Sequence, residues 1–315
     1  MTRFALSRVG QTVGVLWIVS VILFVLMRLI PGDPVLIMLG DEFTDEAYRQ
    51  LRAQLGLDRS LLIQYLVWLG NILRGEFGYS YISHASVADL VFQAYVPTLW
   101  LVIASLILGT IIAIPSGIVA AMRKDSAWDY GSMGVAIVGF SMPSFWKGIL
   151  LIWIFSVHLG WFPAMGYVAP WADFRESMWK LVLPAVTLGT FFAGLVARIV
   201  RSSLLEVLDL DYIKAARAKG VGQAALVYRH ALANALIPVV TVIGLQFGAL
   251  LGGAVLTETV FTIPGMGRLT VAAITTRDYQ VVQAAILVGV LSVVLVNLLV
   301  DISYAFLNPK IRVTA

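Results

Sequence analysis

Residues 90–122 read LVFQAYVPTLWLVIASLILGTIIAIPSGIVAAM and contain no acidic or basic side chain. A helix needs about 20 mostly apolar residues to cross the roughly 30 Å of hydrocarbon in a bilayer. This stretch is longer than that, and it is rich in Leu, Ile, Val and Ala. We therefore predict a membrane-spanning helix over residues 97–122, which places the chain among membrane proteins.

The same criterion, applied to the rest of the chain on both sides of this stretch, predicts an all-α membrane protein with six spans. The stretch 131–172 is interrupted only by Lys147 and is predicted to hold a single helix. The remaining spans correspond to uncharged stretches of 17 to 27 residues. The six predicted spans are 9–27, 97–122, 133–157, 181–197, 231–257 and 279–300.

The composition of the whole chain agrees with this class. Of 315 residues, 60% are hydrophobic and only 13% are charged, whereas an ordinary soluble domain has about a quarter charged residues. The mean hydropathy is +0.90. These values exclude a soluble enzyme and a disordered chain. The chain has no cysteine, which excludes structural disulfides, thiolate metal sites and cysteine nucleophiles.

The distribution of Lys and Arg predicts that both termini are cytoplasmic. Cytoplasmic loops carry an excess of basic residues in multispanning proteins. With an inside N-terminus, twelve basic residues lie in inside segments and four in the two short outside loops. The inside residues are Arg3, Arg8, Arg123, Lys124, Arg198, Arg201, Lys214, Arg217, Lys219, Arg229, Lys310 and Arg312. The outside residues are Arg175, Lys180, Arg268 and Arg277.

The predicted topology divides the chain into three parts. Residues 1–30 form an N-terminal segment with the first span, and residues 31–96 form an extracytoplasmic segment. Residues 97–315 form a five-helix core with a cytoplasmic loop at 198–235. Within the outer segment, Thr44 to Leu55 predicts a capped helix that ends at Gly56, and Leu61 to Leu73 predicts a second one that ends near Gly75.

The cytoplasmic loop contains a short helix signal over residues 211–220, DYIKAARAKG. Asp211 is predicted to be its N-cap, the alanines favour helix, and Gly220 is predicted to end it. The segment is too polar to insert into the bilayer. It can either rest on anionic lipid headgroups or offer its small alanine side chains to another protein surface, and the residue pattern leaves both possibilities open.

Several ordered motifs resemble one transporter family. Ala215-Ala216 followed by Gly220 is similar to the EAA loop of ABC importer permeases, although Lys214 stands where the general motif has an acidic residue. The further matching blocks are Pro31-Gly32-Asp33-Pro34, Gly75 to Ser80, Ser141 to Trp146, Gly160 to Pro163, Thr257 to Arg268, and Asn308 to Arg312. Together they resemble the B-type permease subunit of the dipeptide, oligopeptide and nickel importers, over essentially the whole chain.

The resemblance implies a transport subunit that is not itself an enzyme. Consistent with this, the sequence lacks the phosphate-binding pattern GxxxxGK[ST]. The family pattern implies a homologous second permease, two cytoplasmic ATPases that hydrolyse Mg-ATP, and an extracytoplasmic substrate-binding protein. It also implies that residues 211–220 form the helix that couples to an ATPase. The coupling residues are then Asp211, Tyr212, Ala215, Ala216, Arg217, Lys219 and Gly220.

Polar residues inside the spans are the candidates for the translocation pathway. Lys147 is the strongest of these, since a lysine inside a span usually faces a cavity or a partner. It could bind the carboxylate of a peptide, but it could also snorkel to an interface or pair with the second permease. The other candidates are Ser141, Pro143, Ser144 and Gln246, of which Pro143 is expected to kink its helix. Glu258, at the end of the fifth predicted span, is interpreted as structural or interfacial rather than as a ligand.

We expect neither a metal nor a cofactor to be bound by this chain. Its three histidines, His84, His158 and His230, fall on different sides of the membrane in the predicted topology. The function predicted from the sequence is import of di- or oligopeptides. The alternatives are nickel complexes, glutathione or another small ligand within the same family. An ATP-independent secondary transporter is the alternative from another class, but no acidic residue lies deep within a predicted span.

Overall fold

The computed structural model describes residues 2–29, 34–39, 43–54, 56–80 and 82–307. The sequence motifs at Pro31-Gly32-Asp33 and Asn308 to Arg312 lie outside these residues. The elements follow one another along the chain as α1 (Thr2–Leu29), α2 (Pro34–Leu39), α3 (Asp45–Gln54), α4 (Leu61–Leu73), β1 (Tyr79–Ser80), β2 (Ala85–Ser86), α5 (Val87–Met122), α6 (Ala127–Ser141), α7 (Ser144–Leu151), a π-helical turn (Ile152–His158), α8 (Phe174–Leu208), α9 (Asp211–Ala218), α10 (Gln223–Ala225), a second π-helical turn (Leu226–Ala231), α11 (Leu232–Val260), α12 (Met266–Thr276) and α13 (Tyr279–Leu307).

Five helical segments of the described chain are long and apolar enough to cross a membrane. Each contains one predicted span: 9–27, 97–122, 181–197, 231–257 and 279–300. The structure confirms these five predictions, although α8 extends well beyond its predicted ends. The five segments are Ser7–Leu29, Val87–Met122, Phe174–Leu208, Gln223–Val260 and Tyr279–Ile302.

The prediction of a single helix over 133–157 is wrong, whereas the bend expected at Pro143 is confirmed. The segment is broken into α6 and α7 with its π-helical turn, and the two parts are bent by 107°. Pro143 has no backbone N–H, and a proline also disfavours helical geometry in the residue before it. Met142 accordingly has an extended backbone, with φ −78° and ψ 126°. This broken pair occupies the place of the third predicted span.

Residues 95–268 and 296–307 form one compact unit, in which α8 is central. Helix α8 contacts α6, α7 and α11. Its buried positions recur along one face, at Leu188, Phe192, Val196, Val200 and Leu204, the spacing by which a helix packs against its neighbours.

Small residues allow the helices of this unit to approach closely. A Cβ atom at Gly189 would lie 2.7 Å from the carbonyl oxygen of Ser105 on α5. A Cβ atom at Gly194 would collide with the backbone of Ala136 on α6. Such small-residue contacts are typical of helix packing in membranes.

Glu258 is a structural residue of the same unit, as the sequence indicated. Its side chain is fully buried and accepts hydrogen bonds from the Thr98 hydroxyl at 2.5 Å and from the backbone N–H of Arg268 at 3.1 Å. Thr98 also accepts a hydrogen bond from the backbone N–H of Met266. Glu258 therefore ties the end of α11 to α5 and to the start of α12.

The second compact unit contains Thr2–Ala94 and Leu269–Leu295. The two predicted outer helices are confirmed as α3 and α4. The Thr44 hydroxyl accepts a hydrogen bond from the backbone N–H of Ala47 and so caps α3. Strands β1 and β2 form an antiparallel pair in which Tyr79 faces Ser86 and Ser80 faces Ala85. The Ser80 hydroxyl donates to the carboxylate of Asp278, which connects the hairpin to the start of α13.

Candidate functional site

The helix predicted in the cytoplasmic loop is present as α9, Asp211–Ala218. Gly220 has φ +82°, a conformation that is unfavourable for residues with a side chain. The N–H of Gly220 donates to the carbonyl of Arg217 at 3.0 Å, and the N–H of Val221 donates to that of Ala216 at 3.3 Å. These two bonds form a Schellman motif, which confirms Gly220 as the residue that ends the helix.

The predicted role of Asp211 as N-cap is wrong by one residue. Leu210 occupies the N-cap position without a side-chain cap, and Asp211 is the first residue of the helix. The side chain of Asp211 points into solvent, with one carboxylate oxygen 3.7 Å from Nζ of Lys214. A carboxylate in the first turn still interacts favourably with the helix dipole.

One face of α9 is anchored in the hydrophobic core. Ile213 is fully buried and belongs to the same core cluster as Leu226 and Val227 of the second π-helical turn. Ala216 is half-buried and packs against this cluster. The opposite face is exposed and includes Lys214, Ala215 and Ala218. The helix is therefore held on one side and open to another surface on the other.

Tyr212 connects α9 to the beginning of α11. Its hydroxyl accepts a hydrogen bond from Nδ2 of Asn234 at 2.8 Å and lies 3.4 Å from the carbonyl oxygen of His230. The side chain of Tyr212 is nevertheless 43% exposed. Tyr212 can thus contact a docked partner while it remains bonded to the membrane-spanning part of the chain.

The candidates at the C-terminal end of α9 and just after it extend into solvent. Arg217, Lys219 and Gly220 are all exposed, in contrast to the anchored Ile213. Their positions fit either a protein partner or lipid headgroups. Five of the seven predicted coupling residues thus lie on α9, and Lys219 and Gly220 follow directly after it. Ala216 is the one turned furthest toward the core.

An ion pair between α6 and α8 was not predicted from the sequence. Arg201 of α8 donates from Nε to Oδ1 of Asp129 at 2.7 Å and from Nη2 to Oδ2 at 2.6 Å. The Asp129 side chain is 3% exposed and also accepts a hydrogen bond from the N–H of Asp125. This bidentate pair joins α6 to α8. No local sequence signal indicates it, because its partners are 72 residues apart.

Lys147 is buried within the chain. Its Nζ donates to the carbonyl oxygen of Gly139 and to the Thr190 hydroxyl, both at 2.8 Å. Gly139 lies in the last turn of α6, where carbonyl groups lack partners within the helix. Lys147 therefore stabilises the helix break and connects it to α8.

The remaining pathway candidates lie in two places. Ser141 and Pro143 are exposed at the break between α6 and α7, and Ser144 is half-buried there. Gln246 is half-buried on α11. Both groups belong to the compact unit that is centred on α8.

Comparisons with known proteins identify the family. Residues 113–313 match the family described as "Binding-protein-dependent transport system inner membrane component", and residues 1–102 match the N-terminal family of such components. The chain is 42% identical over 312 residues to the glutathione transport system permease protein GsiC of Escherichia coli K12, covering 99% of each chain. The GsiC protein of Shigella dysenteriae serotype 1 matches to the same extent.

Solved structures of transporters share the fold. An inward-facing structure of the MetNI methionine ABC transporter aligns with a TM-score of 0.59 and 20% identity, over 70% of this chain and 96% of that one. An amino acid ABC transporter aligns with a TM-score of 0.53 and 14% identity, over 69% and 94% of the two chains. The chain is a multi-pass inner-membrane protein, and it belongs to the binding-protein-dependent transport components, the permease subunits of ABC importers.

Proposed function

We propose that this chain forms half of the membrane pathway of an importer for small peptides, glutathione among them. The main support for the proposal is the placement of α9, which packs one face against the core and leaves the other face exposed for a partner. The chain itself has no phosphate-binding loop, so the energy must come from ATP hydrolysed with Mg²⁺ on two partner subunits. A second permease forms the other half, and an extracytoplasmic binding protein delivers the ligand.

In this proposal α9 is the coupling helix. Tyr212, Ala215, Ala216 and Gly220 contact an ATPase, and Arg217 and Lys219 pair with its acidic residues. When the ATPases close, they displace α9 as a rigid element. The displacement passes into the membrane through two connections, the buried side chain of Ile213 and the hydrogen bond from Asn234 to Tyr212.

The ligand class rests on two lines of support. The curated relatives with 42% identity are named for glutathione transport, and glutathione is itself a small modified peptide. The sequence motifs resemble those of dipeptide and oligopeptide permeases. Nickel complexes are the alternative ligand, and the delivering binding protein would then make the selection.

The proposal is tested by purifying the complex through a tag on this chain. We expect a second permease, ATPase subunits and a binding protein to co-purify. ATP hydrolysis should rise when the binding protein is loaded with ligand. The recovered binding protein is then screened with glutathione, di- and oligopeptides and nickel complexes. Transport by the chain alone, in vesicles without ATP, would contradict the proposal.

Replacement of Lys147 by methionine separates a structural role from ligand binding. Loss of its two hydrogen bonds should destabilise the protein by about 3 kcal/mol or more, because each bond from a charged group contributes roughly 1.5–3 kcal/mol. We expect uptake of free dipeptides and uptake of C-terminally amidated dipeptides to fall by the same factor. The matched control is Lys124→Met, the same change at an exposed lysine before α6. A selective loss of the ligands with a free carboxylate would show that Lys147 binds them.

A further inference from the structure

Helix α4 carries no charged residue in its 13 positions. Its polar and aromatic side chains face α1 within the same compact unit. The Tyr65 hydroxyl is hydrogen-bonded to the Ser20 hydroxyl at 2.8 Å, and Oε1 of Gln64 accepts a bond from Arg28 at 2.7 Å. The rings of Tyr65 and Trp68 lie 5.3 and 5.6 Å from that of Phe24.

The opposite face of α4 is aliphatic and exposed. Its exposed residues recur at the spacing of one helical face. They are Leu62, Ile63, Leu66, Val67 and Leu73, with exposures between 46% and 79%. A surface helix of a soluble domain has the reverse arrangement, with apolar residues inward and charged residues outward. A contiguous apolar face of this kind therefore indicates an apolar environment.

The position of α4 along α1 identifies that environment. Ser20, Phe24 and Arg28 precede the last residue of α1, Leu29, by nine, five and one positions. At 1.5 Å per residue they lie about 13, 7 and 2 Å from the end of this helix. These levels fall within one leaflet of a bilayer whose hydrocarbon is about 30 Å thick. Helix α1 itself exposes Ile22, Val25 and Leu26 at the same levels, on the side away from α4, so both outer sides of the α1–α4 pair are apolar there.

We propose that α4 is embedded in the membrane interface, with its aliphatic face in contact with the lipid acyl chains. Its 13 residues are about 20 Å long, too short to cross the bilayer, so it lies along the leaflet at the Leu29 end of α1. Arg59 and Arg74 flank it and are exposed, which places a cation near the phosphate headgroups at each end. The segment between the first two spans is thus partly a membrane element. This inference depends on the membrane position of α1 and not on the transported ligand.

The absence of cysteine from the chain allows a direct test. Single variants Leu62→Cys and Leu66→Cys are labelled with a nitroxide in the full chain, reconstituted into phosphatidylethanolamine–phosphatidylglycerol bilayers. Glu46→Cys on α3 is the aqueous control, and Ile18→Cys on α1 is the membrane control; both side chains are exposed. Collisions with oxygen and with a water-soluble nickel chelate are measured at each position.

We expect the ratio of oxygen to nickel collisions at Leu62 and Leu66 to exceed that at Glu46 by about threefold or more, approaching the ratio at Ile18. A membrane-impermeant maleimide should react with the unlabelled Leu62→Cys, Leu66→Cys and Leu73→Cys variants about tenfold more slowly than with Glu46→Cys. Ratios and rates equal to those of Glu46 would overturn the proposal, because the face would then be in water. Low accessibility to both collision partners would also overturn it, since a protein surface would then cover the helix.

Discussion

Replacement of Ala215 by glutamate is expected to lower ligand-stimulated ATP hydrolysis and uptake by about tenfold or more, without lowering the amount of chain in the membrane. Ala215 is on the exposed face of α9, opposite the buried Ile213. A docked ATPase would displace water from a carboxylate at this position without offering it an opposite charge. We expect this to weaken docking by about 2 kcal/mol or more. The helix itself should persist, since glutamate is a good helix former.

The matched control for this change is Ala224→Glu, an exposed alanine on the neighbouring α10. We expect it to retain most of the activity, because it lies outside α9. Uptake and ATP hydrolysis are measured on the purified complex in proteoliposomes. If the Ala215→Glu complex were to transport as well as the wild type, α9 would not be the contact that couples ATP hydrolysis to the membrane helices.

The second large effect is expected at the ion pair between Arg201 and Asp129. Arg201→Ala should destabilise the protein by about 3 kcal/mol, because it leaves a carboxylate buried without its charge partner. Asp129→Ala should cost only about 1 kcal/mol, since the Arg201 side chain is 26% exposed and can be hydrated. The asymmetry between the two variants is the specific expectation, and thermal unfolding of the purified protein in detergent measures it.

Two further variants sharpen this test. Arg201→Lys keeps the charge but loses the planar two-point contact. We expect its unfolding temperature to lie between those of the wild type and Arg201→Ala. Arg198→Ala removes an exposed arginine from the same helix and should leave the unfolding temperature nearly unchanged. Equal losses of stability in Arg201→Ala and Asp129→Ala would show that burial of the Asp129 carboxylate does not determine the effect of this ion pair on unfolding.

The sequence was most informative where structure is determined locally. Gly56, Gly75 and Gly220 end their helices as predicted, because a single backbone conformation there requires glycine. Five of the predicted spans follow from runs of apolar residues that only a helix can place in a bilayer. The Asp211 prediction failed by one residue because the helix begins with Leu210 at the N-cap, so that Asp211 is already helical, and helix ends inferred from sequence vary by a residue or two.

The third span and the side chains around it could not be predicted in this way. Pro143 indicated a kink, but the angle of 107° depends on how α7 packs against α8 and α11. Thr190, one of the two partners of Lys147, and Arg201, the charge partner of Asp129, lie on α8, 43 and 72 residues away in the chain. An apolar pattern locates a helix in the membrane, but it does not show which carbonyl or hydroxyl group a charged side chain will bond.

The break between α6 and α7 also has a consequence for biosynthesis. Helix α6 has 15 residues and is therefore about 22 Å long, too short to cross the hydrocarbon by itself. A lysine at the centre of a nascent span costs about 3 kcal/mol at the translocon, and the groups that bond Lys147 and Asp129 include Thr190 and Arg201. We therefore expect the α6–α7 segment to insert stably into the membrane only after α8 has left the ribosome. The two consecutive hydrophobic segments, α6–α7 and α8, would then insert cooperatively.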